Sequence, residues 1–201
     1  MPSPADQIVG LYEKHAQAFD RDRGRSLFEK SWLDRFLSLL PKSASVLDIG
    51  CGHGEPIAAY LVQQGCQVIG VDSAPSLIAL CRERFPAQHW IAADMRGLSL
   101  GQQFDGVVAW DSFFHLTFDD QRRMFPLFRD HAASRAALMF TSGPQHGEAI
   151  GSYCNEPLYH ASLAPEEYHA LLDQNGFEVI AYKAQDPDCG GHTVWLAQSR
   201  S

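Results

Sequence analysis

The feature that most constrains the fold is an alternation of short apolar runs with amphipathic segments, which continues from residue 45 to residue 142. The apolar runs are SVLDIG, CQVIGVD, QHWIAAD, FDGVVAW and RAALMFTS. The segments between them carry apolar residues at helical spacing. Strands that alternate with helices are typical of a parallel sheet covered on both faces. The sequence therefore predicts an α/β fold with a doubly wound sheet.

Both ends of the chain depart from this alternation. Residues 5–20 and 26–41 have the apolar spacing of helices, so residues 1–40 are predicted to form a helical cap segment. Near the other end, the helical PEEYHALLDQNG is followed by FEVIAYKAQ and HTVWLAQ, which the turn-rich DPDCGG joins. This last pair predicts a hairpin, and one of its strands should therefore run antiparallel to the sheet.

Composition limits the partners of this chain. Its 201 residues suit a single domain, and a net charge of −8 without any basic block disfavours nucleic acid as a partner. No apolar run approaches the roughly 18 residues that span a bilayer. Five scattered cysteines without a CxxC pair, and no recognisable secretory signal at MPSPADQIVG, fit a reduced chain. We therefore expect a cytoplasmic monomer or homodimer whose partner is a small molecule, with no nucleic acid and no membrane involved.

The stretch VLDIGCGHGEP, residues 46–56, places three glycines where the first strand turns into a helix. Ligands of open α/β sheets bind at this turn, and glycine lets a ligand approach the backbone. A dinucleotide fingerprint would need a glycine where Glu55 stands, and a carboxylate there would repel a phosphate. Together with Asp48, Glu55 favours a ligand that carries a cation. A tight turn without any ligand is the alternative.

The same residues resemble a known family, because LDIGCGHG matches the D-x-G-x-G-x-G signature of the class I S-adenosylmethionine-dependent methyltransferases. S-adenosylmethionine carries two cationic groups, a sulfonium and an ammonium. It is therefore the kind of ligand that Asp48 and Glu55 favour. The resemblance implies that Asp48 holds the ammonium of this cofactor. It also implies that the cofactor, and its product S-adenosylhomocysteine, lie against the backbone of Gly50, Cys51, Gly52 and Gly54.

Three further motifs follow in the order of that family between residues 68 and 116. In VIGVDSA, the resemblance places Asp72, with Ser73 beside it, at the ribose hydroxyls. In IAADMRGL, it places Asp94 near the adenine amino group and Met95 against the ring. In FDGVVAWDSFFHL, it places the segment from Trp110 to His115 beside the methyl group that is transferred.

The resemblance also implies the architecture. A single class I methyltransferase domain over residues 1–201 should contain a Rossmann-like seven-stranded sheet in the order 3-2-1-4-5-7-6, with strand 7 antiparallel. Small-molecule methyltransferases with an N-terminal helical cap are the most similar group. Such caps often fold over the cofactor, which suggests Tyr12 and Arg25 as cofactor contacts. The alternative is that Tyr12 packs its helix and that Arg25 is solvated.

The implied reaction is an SN2 attack on the sulfonium methyl by a small-molecule acceptor. His115 is the best-placed candidate for a general base, because imidazole titrates near neutral pH. Asp111, four residues earlier, could orient its ring if the segment is helical. The alternative is a packed histidine. Holding the reactants in line contributes roughly 7–11 kcal/mol and a base about 10²–10⁴-fold in rate, so positioning outweighs the base.

No metal site is expected, because Phe114 stands where a second acidic ligand would help and the other histidines and cysteines lack zinc-ligand spacing.

Residues 143–164 lack regular periodicity and should form a loop on the substrate side of the sheet. Several of its side chains could reach an acceptor, namely His146, Glu148, Tyr153, Tyr159 and His160. His192, in the final hairpin, could face the same pocket. A solvated insertion is the alternative. We further expect this loop and the N-terminal cap to become ordered together when the cofactor binds.

Two other functions remain open on the sequence. A module that senses S-adenosylmethionine would bind the cofactor without transferring its methyl group. A nicotinamide oxidoreductase would share the fold and Asp72, although Glu55 disfavours its pyrophosphate. The sequence does not identify the acceptor.

Overall fold

The computed structural model describes residues 4–200, so residues 1–3 of the expected cap and the last residue of the expected domain lie outside the description. The elements are α1 (Pro4–Lys14), α2 (Ala16–Asp22), α3 (Lys30–Ser38), β1 (Ser45–Ile49), α4 (Ile57–Gln63), β2 (Gln67–Asp72), α5 (Pro75–Arg84), β3 (His89–Ala92), β4 (Phe104–Ala109), α6 (Phe118–His131), β5 (Ala132–Ser142), β6 (Gly147–Tyr153), β7 (Glu156–Ser162), α7 (Pro165–Gln174), β8 (Phe177–Asp186) and β9 (His192–Ser199). Short 3-10 turns lie at Met95–Gly97, Phe113–His115 and Pro187–Cys189.

The main sheet has seven strands in the order β3-β2-β1-β4-β5-β9-β8. The first five strands run parallel, and β9 pairs antiparallel with both β5 and β8. Because β8 and β9 are the sixth and seventh strands of this sheet along the chain, the predicted order 3-2-1-4-5-7-6 with strand 7 antiparallel is confirmed. The parallel arrangement brings the carboxyl ends of β1, β2, β3 and β4 to one edge of the sheet.

The core consists of two apolar layers, one on each face of the sheet. Adjacent strand residues alternate between them: Val46 belongs to one layer and Leu47 to the other. On one face, Phe36 of α3 lies over Gly106, where a Cβ would approach the Phe36 ring to 2.5 Å. On the other face, Phe125 and Phe128 of α6 are fully buried. Burial on both faces explains why the central strands read as continuous apolar runs.

The prediction of an irregular loop over residues 143–164 is wrong. This segment forms an antiparallel hairpin of β6 and β7, a sheet separate from the main one. Its turn places Cys154 and Asn155 at φ +50° and +64°, the left-handed geometry that suits two-residue hairpins. Almost every residue of β6 is exposed, so backbone pairing holds the strand and its sequence needs no apolar alternation.

The N-terminal cap packs on this hairpin. The helical pattern over residues 5–20 forms two helices, α1 and α2, separated at His15. Ile8 and Leu11 of α1 pack against Tyr159 and Ala161 of β7. Within residues 4–200, no helix is both long enough and apolar enough to span a bilayer.

Candidate functional site

A cavity of about 340 Å³ opens where the glycine-rich turn leaves β1. Gly50 and Gly52 line it with φ of +78° and +56°, a region that side chains rarely adopt. A Cβ on Gly50 would lie 2.1 Å from the Cβ of Ser112, so only glycine fits there. Cys51 also lines the cavity, and its backbone N–H donates to the carbonyl of Val71 at 3.0 Å. The turn is therefore held open by strand β2 and presents bare backbone to the cavity.

Gly54 does not line the cavity, although the resemblance implied that it would contact the cofactor. A Cβ on Gly54 would lie 3.0 Å from the ring of Phe85 and 3.4 Å from the Sγ of Cys81. A glycine is therefore needed at position 54 because the turn packs closely against the end of α5.

Asp48 lies on the floor of the cavity as a buried carboxylate, 3% exposed. None of the described residues donates a side-chain hydrogen bond or forms an ion pair with it. Burial, with a smaller contribution from the charge of Asp72, raises the pKa of Asp48 to about 7. A buried carboxylate without a cationic partner favours a cation in the cavity beside it.

Asp72 is anchored at the end of β2 by two backbone donors. Its Oδ2 accepts from the N–H of Gly52 and its Oδ1 from the N–H of Ala74, both at 2.9 Å. Burial nevertheless raises the pKa of Asp72 above its usual range. Asp72 and the adjacent Ser73 line the cavity, and the lone pairs left on the carboxylate can accept from hydroxyl groups there.

Asp94 and Met95 line the cavity beyond β3, but Asp94 has a strong partner that the sequence did not suggest. Arg96 places its Nη2 2.6 Å from Asp94 Oδ2, and this contact lowers the pKa of Asp94. Arg96 also reaches Asp6 of α1 at 3.0 Å. A ligand amino group would therefore share the Asp94 carboxylate with Arg96.

His115 is buried, and its two ring nitrogens are both hydrogen-bonded. Nδ1 lies 2.7 Å from the carbonyl oxygen of Tyr159 and must donate to it, so Nε2 accepts from the hydroxyl of Tyr12 at 3.0 Å. Burial lowers the pKa of His115 to about 4. His115 and Tyr12 both line the cavity, yet the ring has no free lone pair and is a weak base. The structure therefore argues against His115 as the general base.

Asp111 does not orient His115, because the intervening segment is not an α-helix. Asp111 has φ of +49°, and a 3-10 turn follows it. Its carboxylate instead lies 2.9 Å from Nε2 of His192. His192 Nδ1 faces the carbonyl oxygen of Cys189 at 2.8 Å. Both nitrogens of His192 face acceptors, which favours the imidazolium form, and the contact with Asp111 raises its pKa.

The His192 ring is clamped between two aromatic side chains in the wall of the cavity. Its centroid lies 5.3 Å from that of the Phe28 ring and 5.5 Å from that of the Trp110 ring, with interplanar angles of 29° and 30°. Trp110 is buried, and its indole N–H has no acceptor among the described residues. The expectation that His192 faces the pocket agrees with this position, and Trp110 lines the cavity as the resemblance implied.

Arg25 lies outside the cavity lining, and Arg23 lies within it. Arg25 donates to Glu55 at 3.1 Å and to Asp20 at 2.9 Å. Arg84 is also near Glu55, at 3.3 Å. These contacts hold the Arg25 guanidinium in an ion-pair cluster outside the cavity where the cofactor contact was predicted. They also offset the charge of Glu55, so this carboxylate repels a phosphate less than an unpaired one would.

The same cluster contains a group of side chains that could hold a metal ion, since one ligand atom from each of Asp20, His53 and Glu55 lies within 4.8 Å of the others. His53 Nδ1, however, accepts from the backbone N–H of Glu55. The ring proton is therefore on Nε2, the nitrogen nearer to Asp20, and that nitrogen has no lone pair for a metal. With Arg25 and Arg84 beside the carboxylates, the cluster is an ion-pair network.

Comparison with known proteins agrees with this geometry. Residues 46–134 match the family described as "Methyltransferase domain". Magnesium-protoporphyrin O-methyltransferase of Rhodobacter capsulatus is 33% identical over 117 residues, which cover 54% of this chain and 50% of that protein. An N,N-dimethyltransferase of dTDP-3-amino-3,6-dideoxy-alpha-D-glucopyranose from Streptomyces fradiae is 32% identical over 55% of this chain and 42% of its own. The chain thus spans about half the length of these relatives, or less.

Among solved structures, the amino pentose methyltransferase CalS10 of Micromonospora echinaspora, described with bound S-adenosylmethionine, superposes with a TM-score of 0.71. The alignment covers 91% of this chain and 95% of that one at 22% identity, which shows a shared fold.

The chain shares the α/β fold of CalS10, and the glycine-rich turn and the first four strands, from Val46 onward, lie in the matched domain. The match over residues 46–134 agrees with the resemblance of the glycine-rich turn to the S-adenosylmethionine-dependent methyltransferases.

Proposed function

We propose that this protein transfers the methyl group of S-adenosylmethionine to a small-molecule acceptor. The observation that carries the proposal is Asp48, a buried carboxylate without a cationic partner on the floor of a cavity whose rim is bare glycine backbone. The ammonium of S-adenosylmethionine supplies the missing cation. A dinucleotide would instead bring a pyrophosphate close to this carboxylate.

The lining residues fit the rest of the cofactor. Asp72 would accept from the ribose hydroxyls, with Ser73 beside it, and Met95 would lie against the adenine ring. Asp94, shared with Arg96, would accept from the adenine amino group. The bound cofactor supplies an activated methyl group, and the chain has to hold an acceptor in line with it and exclude water.

The acceptor end of the cavity contains Tyr12, Asp111, Phe114, His115 and His192. Tyr12 and His115 join the cap to the 3-10 turn after β4, and this closes one side of the cavity. Positioning supplies most of the catalysis in this proposal, since His115 is a weak base. We also propose a cytoplasmic location, which rests on the five free thiols; a monomeric or homodimeric state stays a prediction.

Calorimetry with S-adenosylhomocysteine and with NADH tests the proposal. We expect S-adenosylhomocysteine to bind, Asp48→Asn to weaken its binding, and NADH not to bind. Tight NADH binding without binding of S-adenosylhomocysteine would refute the proposal.

A labelled-methyl screen then separates an enzyme from a sensor. Its acceptors should include amino sugars, sugars with only hydroxyl groups, porphyrins and dicarboxylates. Binding of S-adenosylhomocysteine without methyl transfer to any acceptor would favour a sensing module.

A further inference from the structure

A second cavity adjoins the first one. It has a volume of about 330 Å³ and lies between the end of β5 and the β6–β7 hairpin. Its lining consists of Phe114 and residues 142–149 and 160–162. Only two residues, Phe114 and His160, line both cavities. A molecule in the second cavity would therefore face the first one across these two side chains.

Three imidazoles line the first cavity, and two of them are fully engaged. Nε2 of His115 accepts a hydrogen bond from the hydroxyl of Tyr12, and Nδ1 donates one to the carbonyl of Tyr159. Nδ1 of His192 faces the carbonyl of Cys189, and Nε2 faces the carboxylate of Asp111. His115 can accept a proton only by losing its hydrogen bond from Tyr12, and the His192 imidazolium has no lone pair.

His160 differs from both. No side chain among the described residues forms a hydrogen bond or ion pair with the His160 ring, and the polar group that acts on it is the backbone of Leu158, so a ring nitrogen is left for a ligand. Partial burial lowers the pKa of His160, so the ring is neutral at pH 7 and has a lone pair to offer. Of the three rings, His160 is the one able to take a proton.

The surroundings hold the His160 ring at the junction of the two cavities. Its centroid lies 4.9 Å from the His115 ring and 5.2 Å from the Phe114 ring. On the hairpin side, Gly151 lies beside it, and a Cβ there would approach the ring to 3.4 Å. Two acidic groups lie near this junction. Asp111, which is paired with His192 in the first cavity, favours the protonated His160 ring, and Glu148 of the hairpin accepts from the hydroxyl of Tyr159.

We propose that His160 receives the proton of the methyl acceptor. The acceptor binds in the second cavity and extends its nucleophile past Phe114 and His160 into the acceptor end of the first cavity. The inference rests on the proposed function. A lone pair of the acceptor heteroatom forms the new bond to the methyl carbon, while the carbon–sulfur bond breaks and its electron pair stays on sulfur. The proton of the heteroatom passes to the free nitrogen of His160, and the resulting imidazolium lies in the field of Asp111.

The lining of the second cavity also defines the class of acceptor. Its polar side chains are Ser142, Gln145, His146, Glu148, His160 and Ser162, with no lysine or arginine among the described residues. Such walls disfavour a carboxylate or a phosphate. The acceptor is therefore an uncharged or basic polar molecule with a hydroxyl or amine nucleophile.

Nitrogen-15 NMR of the histidine rings, with S-adenosylhomocysteine bound, tests the proton assignments without an acceptor. At pH 7 we expect His160 to be neutral, with one bare nitrogen, and to become protonated on acidification. His115 should stay neutral with its proton on Nδ1, and His192 should be doubly protonated. A His160 ring that is already protonated at pH 7 overturns the proposal.

Kinetics of His160→Asn with an acceptor from the labelled-methyl screen test the transfer step. We expect kcat to fall about 10²–10⁴-fold with little change in KM, and the acidic limb of the kcat–pH profile to disappear. The dissociation constant of S-adenosylhomocysteine should not change, and added imidazole should restore part of the rate. His89→Asn, an exposed position on β3, is the matched control.

Circular dichroism must show that His160→Asn is folded, and His160→Gln replaces it if it is not. If His160→Asn keeps the wild-type kcat and the acidic limb of the kcat–pH profile, the role proposed for His160 is refuted. The proposed function is not affected by that result. If the screen finds methyl transfer only to carboxylate acceptors, the proposed class of acceptor is wrong. If wild type does not bind S-adenosylhomocysteine, the proposed function itself fails. If no acceptor in the screen is methylated, the NMR result decides.

Discussion

The chemistry of this site depends on which polar side chains already have partners. Asp48 has none among the described residues and sits beside the glycine turn, whereas Asp94, Asp111 and Glu55 are each paired with a cation. Residues of the same type therefore have different capacities to bind a ligand. The unpaired Asp48 carboxylate faces the proposed ammonium, and the paired ones shape the walls of the cavity.

Asp48 should make cofactor binding dependent on pH. Its pKa of about 7 means that most molecules are protonated there at pH 6, and a protonated carboxyl attracts an ammonium weakly. Because only the ionised fraction binds well, we expect S-adenosylhomocysteine to bind about eightfold more tightly at pH 7.5 than at pH 6. Calorimetry at both pH values measures this. Asp48→Asn should remove most of the dependence; the same dependence in the variant would contradict the assignment.

His192 should contribute stability that falls at alkaline pH. Its pKa is raised in the folded protein by Asp111, so its stabilisation is complete below its unfolded pKa, about 6.5, and is lost as the pH rises through the raised value. We expect the difference in Tm between wild type and His192→Gln to be larger at pH 6 than at pH 9. His89→Gln, on an exposed position, is the control. A difference that is constant with pH would mean that the ring is not an imidazolium.

At the scale of elements, the glycine-rich turn is the part that least tolerates change. Gly50 has a positive φ and no room for a Cβ beside Ser112. We expect Gly50→Ala to lower the free energy of unfolding by more than 1 kcal/mol and to abolish binding of S-adenosylhomocysteine.

Gly10 provides the matched control for that substitution. It lies within α1 with nothing within 4 Å of its added Cβ, so Gly10→Ala should stabilise the helix by about 0.5–1 kcal/mol. Urea unfolding measures both variants. Equal effects of the two substitutions would show that the turn is not specifically constrained.

The cap and the hairpin form a second coupled unit. Besides the apolar contact of α1 with β7, Glu156 accepts from Lys14 at 2.7 Å and lies 2.6 Å from His15 Nε2. Tyr12 connects the same helix to His115 in the cavity wall.

We expect S-adenosylhomocysteine to protect residues 5–25 and 144–160 from limited proteolysis together, because the cofactor would contact both sides of this unit. Tyr12→Phe, which loses the hydrogen bond to His115, should weaken the protection. Identical cutting with and without ligand would contradict the coupling.

At the scale of the whole molecule, much of the fold could be predicted from the sequence. The continuous apolar runs of the central strands and the spacing of the helices between them are local patterns. They predicted the parallel sheet, the terminal hairpin and the position of the glycine turn. The β6–β7 hairpin could not be predicted in this way, because β6 is exposed on both faces and its sequence carries no apolar alternation.

The candidate site was only partly predictable. The positions of Asp48, Asp72 and Met95 follow from motifs that end strands, and parallel strands bring those ends together. Arg25 was predicted to contact the cofactor, but Arg23 is the arginine of this segment that lines the cavity. Both residues lie beyond the end of α2, where no helical periodicity indicates the direction of a side chain. The pairing assumed for Asp111 and His115 failed because the chain there takes a left-handed residue and a 3-10 turn.

The sequence by itself determined the order of the elements, the open glycine turn and the acidic residues around it, since each depends on neighbours within a few positions. The tertiary structure decided the protonation of the three imidazoles in the cavity. Tyr12 reaches His115 across 103 residues and His192 reaches Asp111 across 81, so these partners meet only in the folded chain. The charge of an imidazole depends on the groups that face both of its nitrogens, and distant segments supply those groups.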